Sequence, residues 1–191
     1  MIKPVLSRIQ DLDFVFENSL AKVTANRNCP EIKLEGLTVG PFEEGNDYEL
    51  CYWIARELVK SGMIRFHAAD LLDAAKLSKI QWTERVQTAG QMSRLSEGFY
   101  PTLRRYLVEL REGITNNPER MREYERADHL SKDIVNSRIR KIVSIASAPA
   151  QTESALRNLA AEERLLYEQL FRVISGWKSR ILVQTGANVN V

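Results

Sequence analysis

The alternation of apolar and polar residues along the chain changes character near residue 45. Before that point, short apolar runs with strand character lie at 12–16, 21–25, 31–34 and 37–40. After it, apolar residues recur every three or four positions, as on the buried face of a helix. The pattern predicts a mainly α fold, with a small β-rich domain over residues 1–45 and an α-helical assembly domain over residues 46–191.

The first helix of the second domain is predicted to begin at Asn46. Asn46 is a good N-cap, Glu49 three residues later completes a capping box, and Gly62 stands where a C′ glycine ends a helix. We therefore expect a three-turn helix over 49–61. Its predicted buried face consists of Leu50, Trp53, Ile54 and Leu58.

Two long helices near the C-terminus are predicted to form the frame of an antiparallel helical bundle. The full set of further predicted helices is 68–77, 79–90, 99–112, 118–147 and 151–184. The stripe along the first long helix comprises Tyr124, Ala127, Ser131, Val135, Arg138, Ile142 and Ile145. The stripe along the second comprises Leu159, Leu166, Leu170, Val173, Trp177 and Ile181. Stripes of this length fit either contact with partner chains or packing inside one core.

Composition narrows the classes of protein that the chain can belong to. The 27 basic and 25 acidic residues leave a net charge of +2, which gives no strong attraction to nucleic acid or acidic lipid. Cys29 and Cys51 cannot form a disulfide framework, so we expect a cytoplasmic protein. Apolar runs fall far short of the roughly 20 residues that span a bilayer, so no membrane association is expected.

No arrangement of residues typical of a catalytic or metal site emerges from the sequence. His67, His129, Cys29 and Cys51 occur singly, without the spacing that metal ligands need. The chain contains no GxSxG elbow and neither of the glycine-rich phosphate loops, GxxxxGK[ST] and GxGxxG. We therefore predict no catalytic residues, no metal, no cofactor and no enzymatic activity.

A basic cluster at RIRK suggests one possible nucleic-acid contact. Arg138, Arg140 and Lys141 could bind DNA phosphates, or they could form a solvated helix face. The order strand, helix, glycine and strand over 37–67 gives an alternative function, a winged-helix transcription regulator. The helix at 49–61 has mixed charge, however, which is unlike a recognition helix.

The segment GLTVGPFEEGNDYELCYWIARELVKSGMIRF, residues 36–66, resembles the signature of GINS subunits, a replication factor of archaea and eukaryotes. In that signature a Gly-Pro-Phe strand end and an acidic turn lead into a helix with an apolar, Tyr-Trp-containing start, here LCYWIA. FYPTLRRYL at 99–107 and LSKDIVNSRIRKIVSIA at 130–146 are similar to two helical regions of the family. Together the matching pieces cover about residues 37–182, and Cys51 stands where the family often has proline.

The resemblance implies a non-catalytic scaffold of the class in which the β-domain comes first. Its expected partner is a GINS subunit of the helical-first class, in a 2:2 tetramer. That tetramer would bridge the MCM helicase and a RecJ-like protein and contact primase and DNA polymerase, with weak or no direct DNA binding. An archaeal member would act in the cytoplasm at the nucleoid, and a eukaryotic member in the nucleus.

The apolar stripes and the resemblance together indicate which residues form interdomain or subunit contacts. Trp53 is expected to face inward with Leu50 and Leu58, and Tyr52 to face a neighbour. The complete predicted set is Phe42, Leu50, Tyr52, Trp53, Ile54, Leu58, Phe99, Tyr100, Leu166, Leu170 and Trp177.

Overall fold

The computed structural model describes residues 5–34, 36–87, 91–114, 117–148 and 153–182. The helices in these residues are α1 Val5–Glu17, α2 Tyr52–Lys60, α3 Ala74–Val86, α4 Phe99–Glu112, α5 Pro118–Ser147, α6 Glu153–Arg157 and α7 Ala161–Ile181. The strands are β1 Leu20–Ala25, β2 Ile32–Leu34, β3 Leu37–Val39, β4 Asp47–Cys51 and β5 Ile64–Phe66. The predicted fold class, mainly α with a small β unit in the N-terminal part, is confirmed.

The chain divides into two compact units. One comprises Gln10–Leu72 and holds all the described strands; the other comprises Asp73–Val191 together with Met1–Ile9. The boundary differs from the expected one at residue 45, because β4, α2 and β5 all pack with β1. The β unit therefore continues well beyond the acidic turn.

The β unit is built on a three-stranded antiparallel sheet in the order β4-β1-β5, with β2 and β3 forming a separate hairpin. Helix α2 packs on one face of the sheet because its apolar residues and alternate sheet residues bury one another. The buried core of this unit consists of Val23, Ala25, Val39, Phe42, Ile54, Ala55 and Ile64.

The predicted helix start at Asn46 is wrong, since Asp47–Cys51 forms strand β4 and α2 begins at Tyr52. Alternation explains the difference: Tyr48 and Leu50 pack against the core, whereas Asp47 and Glu49 stay exposed. The predicted end of the helix is confirmed. Gly62 has a φ of 70° and its N–H donates to Val59 O, as at a C′ position.

The apolar run at 12–16 is also helical rather than a strand, because it forms part of α1. In the helical unit, 68–77 and 79–90 are replaced by the single helix α3, and 151–184 is divided into α6 and α7. Parts of these expected helices, at 88–90, 151–152 and 183–184, lie outside the described residues.

Helix α5 is the centre of the helical unit and packs against α3, α4 and α7. Both α4 and α5 have the predicted bounds. The start of α5 follows from its sequence, because the Asn117 side chain accepts hydrogen bonds from the N–H groups of Glu119 and Arg120 and Pro118 occupies the first turn.

The two long helices α5 and α7 run in the same direction, which corrects the antiparallel arrangement expected from the sequence. Arg138 contacts Glu163, and further along both helices the Ser147 carbonyl accepts a hydrogen bond from Lys178 Nζ at 2.8 Å. Helix α6 lies in the segment that returns the chain to the level of Arg138. A cluster of buried residues joins these helices: Met92, Ile142, Ile145, Ala146, Ala155, Leu159 and Tyr167.

Within the described ranges, no helix is both long enough and apolar enough to cross a bilayer.

Candidate functional site

Four buried charged side chains meet inside the helical unit. They are Glu84 of α3, Arg138 and Lys141 of α5, and Glu163 of α7, and none is more than 5% exposed. Two are positive and two are negative, so the charges of this buried cluster balance. We call these four residues the charge cluster.

Arg138 connects the parts of the charge cluster. Its Nε and Nη2 donate to the two carboxylate oxygens of Glu163 at 2.7 and 2.5 Å, a bidentate pair. Nη1 donates to Glu84 Oε1 at 2.9 Å and to the Ser93 carbonyl at 2.7 Å. Nη2 also donates to the Asn158 carbonyl at 3.3 Å. These bonds match the five N–H donors of a guanidinium, so the buried cation is fully hydrogen-bonded.

Glu84 is held ionised by its neighbours. Lys141 Nζ donates to Glu84 Oε2 at 2.7 Å, and the Ser93 hydroxyl donates to Glu84 Oε1. Burial by itself would raise the pKa of Glu84, but the bonds from Lys141 and Ser93 and the charge of Arg138 outweigh burial and lower that pKa. A charged carboxylate therefore persists in the interior at neutral pH.

Glu163 links the charge cluster to the start of α7 and to α4. It accepts a hydrogen bond from the N–H of Ala160 at 2.8 Å, which caps α7, and another from Tyr100 Oη at 2.6 Å. Burial and the nearby Glu163 charge raise the pKa of Tyr100, so its hydroxyl remains a donor. One carboxylate thus holds three helices together, α4, α5 and α7.

The predicted DNA contact through Arg138 and Lys141 is wrong, because both side chains are buried and ion-paired. Arg140, two positions along the helix, is exposed and its Nε donates to the Asn136 carbonyl at 3.2 Å. The three cations therefore do not form one basic surface. A full complement of partners leaves the charge cluster with a structural role rather than an open site for a substrate.

Sequence reasoning did not identify the acidic half of the charge cluster. Glu84 lies seven residues after the buried Leu77, on the same face of α3, and Glu163 lies in the first turn of α7. An acidic residue on an apolar helix face, in a chain with a cation on another such face, is the signal that could have indicated the pairs. Over the described parts of the chain, no group of three or more His, Cys, Asp or Glu side chains could hold a metal ion.

The second feature of the helical unit is an exposed apolar stripe on α7. Val173, Trp177 and Ile181 follow one another at four-residue spacing and are 66, 62 and 61% exposed. Side chains four apart lie on one helix face, so together they form a continuous surface. We call these three residues the α7 stripe.

A groove of about 520 Å³ runs between α4, α5 and α7. Its apolar lining includes Leu103, Leu107, Val135, Ile139 and Leu166, and its rim carries Lys132 and Asp128, which are paired with each other at 2.6 Å. Among these lining residues Ile139 is 41% exposed, Leu103 is buried, and the other three are half-buried.

In the β unit the expected roles of Tyr52 and Trp53 are reversed. Trp53 is 40% exposed, whereas the ring of Tyr52 stacks on Phe66 with centroids 5.2 Å apart and contacts Phe16 at 4.8 Å. The cause is the later helix start. Because α2 begins at Tyr52, its buried face is formed by Ile54 and Ala55, and Trp53 lies next to that face rather than on it.

The remaining predicted interface residues are placed as follows. Phe42, Ile54 and Phe99 are buried inside their own units. Leu50 and Leu58 are partly buried against the core of the β unit, and Leu166 and Leu170 against that of the helical unit. Trp177 is exposed, and its contact with another subunit stays a prediction.

Comparison with known proteins identifies the family. Residues 71–182 match the Sld5 family model, described as the GINS complex protein helical bundle domain. The DNA replication complex GINS protein PSF2 of Homo sapiens is 27% identical over 146 residues, which cover 75% of this chain and 74% of the human protein. The residues matched by the family model, 71–182, include the charge cluster and the α7 stripe. The GINS family match replaces the winged-helix alternative. Because the family model covers more than half of the sequence, the chain belongs to the GINS family.

Proposed function

We propose that the chain is a non-catalytic subunit of the GINS complex that serves as a scaffold in chromosomal DNA replication. The observation that carries this proposal is the family match over 71–182, which falls on the helical unit. In the interior of that unit the four charges of the charge cluster neutralise one another. On its surface, apolar side chains such as those of the α7 stripe are exposed. This combination suits a rigid body that binds other proteins through its surface.

The α7 stripe is the proposed contact with a second GINS subunit of the helical-first class, in a 2:2 tetramer. Transfer of an exposed indole from water into contact with a partner protein is favourable, because the ring has a large apolar surface. Tryptophan is also frequent among the residues that contribute most of the binding free energy of interfaces. The last five residues of α7, 177–181, and Leu182 after it are all exposed, so a partner helix could reach this end of the bundle.

The assembled tetramer in this proposal bridges the MCM helicase and a RecJ-like protein, and it contacts primase and DNA polymerase. Direct DNA binding by this chain is weak or absent, since Arg138 and Lys141 are used internally. In this proposal the complex acts at the nucleoid of an archaeal cell or in the nucleus of a eukaryotic one, and it does not bind a membrane.

Assembly can be tested by producing the chain alone and with a helical-first GINS subunit, and measuring the mass of the intact complex by light scattering and native mass spectrometry. We expect a 2:2 assembly. A 21.9 kDa monomer that does not bind the second subunit would contradict the proposal.

Two exposed tryptophans of the helical unit provide a matched pair of variants. Trp177 on α7 and Trp82 on α3 are 62 and 65% exposed. Trp177→Ala is expected to melt like the unmodified protein but to weaken assembly, whereas Trp82→Ala should affect neither. If Trp82→Ala alone disrupts the complex, the interface lies on α3 and the α7 assignment is wrong.

A further inference from the structure

Strand β4 is an outer strand of the three-stranded sheet, paired with β1 on one side only among the described residues. At one end of the pair the Tyr52 N–H donates to Ser19 O, and at the other the Ala25 N–H donates to Asn46 O, each at 2.9 Å. These two bonds set the alternation of bonded and non-bonded residue pairs along the ladder.

The alternation places Asp47, Glu49 and Cys51 in the non-bonded pairs, opposite Thr24, Lys22 and Leu20. Their backbone N–H groups, and the C=O groups of Asp47 and Glu49, therefore point away from β1, toward the open side of the sheet. The C=O of Cys51 belongs instead to α2, because Cys51 is the N-cap of that helix. No hydrogen bond described in the structure reaches the N–H of any of these three residues. A row of unpaired backbone groups is thus available at this edge.

The side chains of β4 divide between the two faces of the sheet. Tyr48 and Leu50 are half-buried on the face that packs against α2 and the core. Asp47 and Glu49 are exposed on the opposite face, and the Asp47 side chain is 63% exposed. A strand laid beside β4 would meet apolar neighbours on one face and carboxylates on the other.

The edge is strongly acidic. Glu43 and Glu44 in the preceding turn are exposed as well, and the Thr24 hydroxyl, which donates to Asp47 Oδ1 at 2.7 Å, together with His67 lowers the pKa of Asp47. The Asp47 carboxylate therefore remains charged at neutral pH. A second copy of β4 would be repelled by this edge, whereas a cationic segment would be attracted.

We propose that the outer edge of β4 binds an extended segment of a partner protein by strand addition, and that basic residues alternate with apolar residues in that segment. The outward backbone groups of β4 pair with the added strand. Lysine or arginine side chains lie against Asp47 and Glu49, and the apolar side chains lie beside Tyr48 and Leu50. This site lies in the β unit and does not depend on the α7 stripe or on tetramer assembly.

The binding mode can be tested with a synthetic peptide in which lysine and valine alternate, and with a peptide of the same composition in which all lysines precede all valines. Hydrogen exchange of the full-length chain is followed by nuclear magnetic resonance. The alternating peptide is expected to slow exchange at the amides of Glu49 and Cys51, and to leave those of Tyr48 and Leu50 unchanged because they already face β1. Salt-sensitive binding without protection at Glu49 and Cys51 would overturn strand addition, because it would show attraction by charge alone.

A proline at position 49 separates the backbone contribution from the side-chain contribution. Glu49→Pro removes an outward N–H that β1 does not use, so the sheet is expected to remain intact. Both Glu49→Pro and Glu49→Ala lose the carboxylate, but only proline loses the donor. We expect peptide affinity to fall about tenfold or more for Glu49→Pro and only a few-fold for Glu49→Ala.

If Glu49→Pro does not fold, as judged by its circular dichroism, the same question is answered from the side of the peptide. Methylation of the peptide nitrogens that face β4 removes their N–H groups and leaves the charges in place. Weaker binding of the methylated peptide supports strand addition, and equal binding of both peptides contradicts it. Tetramer assembly is measured separately by mass, so failure here would leave the proposed function standing.

Discussion

Replacement of Arg138 by methionine is the sharpest test of the charge cluster. Methionine keeps an apolar stem of similar length but removes the charge and the five N–H donors. The cluster then holds two carboxylates and one ammonium, so its net charge changes from zero to −1. Glu84 retains Lys141 and Ser93, and Glu163 loses its only cation among the bonds described.

The size of the effect follows from burial. Removing one partner of a buried ion pair costs about 3 to 5 kcal/mol, because the remaining charge stays in a medium of low dielectric constant. For a chain of this size each 1 kcal/mol lowers the melting temperature by about 2 to 4 °C. We therefore expect Arg138→Met to lower the melting temperature by about 6 to 20 °C.

The measurement is thermal and urea unfolding at pH 7, followed by circular dichroism. Arg140→Met serves as the control, since Arg140 is exposed on the same helix and its loss should change the free energy of unfolding by no more than about 0.5 kcal/mol. Adding Glu163→Gln to Arg138→Met should cost less than the sum of the two single changes, because they act on one pair. Equal melting temperatures for Arg138→Met and Arg140→Met would refute the role given to the charge cluster.

Four further predictions concern single residues. The folded state lowers the pKa of Glu84 below its reference value of 4.5, so its stabilising effect is complete above that value and disappears as pH falls through the lower folded pKa. Glu84→Gln should therefore show a shallower loss of melting temperature between about pH 5 and pH 3 than the unmodified protein. Trp53→Ala should lower the free energy of unfolding in urea by less than about 2 kcal/mol, because the Trp53 side chain is 40% exposed. Tyr52→Ala should lower it by more, because the ring of Tyr52 contacts both Phe16 and Phe66. The reverse order would contradict the placement of α2. Gly62→Ala should cost about 1 to 2 kcal/mol in the same assay through its positive φ, although no atom lies within 4 Å of the added methyl group. Gly176→Ala, inside α7 and in open space, should instead raise the melting temperature, since alanine favours a helix by about 1 kcal/mol over glycine.

Helices with clear local boundary signals were predictable from the sequence. The helix at 118–147 begins after Asn117, whose side chain caps it, and Pro118 fits only its first turn. The helix at 99–112 ends before Gly113, the C-cap residue. In both, residues within one turn of the boundary determine where the helix starts or stops.

Features that depend on distant residues were not predictable. Asn46 and Glu49 have the spacing of a capping box, but pairing with β1 makes the segment a strand, so tertiary contact overrides the local pattern. Arg138 meets carboxylates 54 residues before it and 25 residues after it. Its position on an apolar stripe was evident from the sequence, whereas its partners depend on how α3 and α7 pack on α5.

The order in which the chain is synthesised gives the charge cluster a further consequence. When α5 leaves the ribosome, Glu84 is already available to Arg138 and Lys141, but Glu163 is translated 25 residues after Arg138. Until then the assembled part of the cluster has two cations and one carboxylate, and an uncompensated positive charge opposes its burial. A chain that stops before α7 is therefore electrostatically incomplete. Glu163 lies in the first turn of α7, so the charges of the cluster balance only once translation has reached this helix.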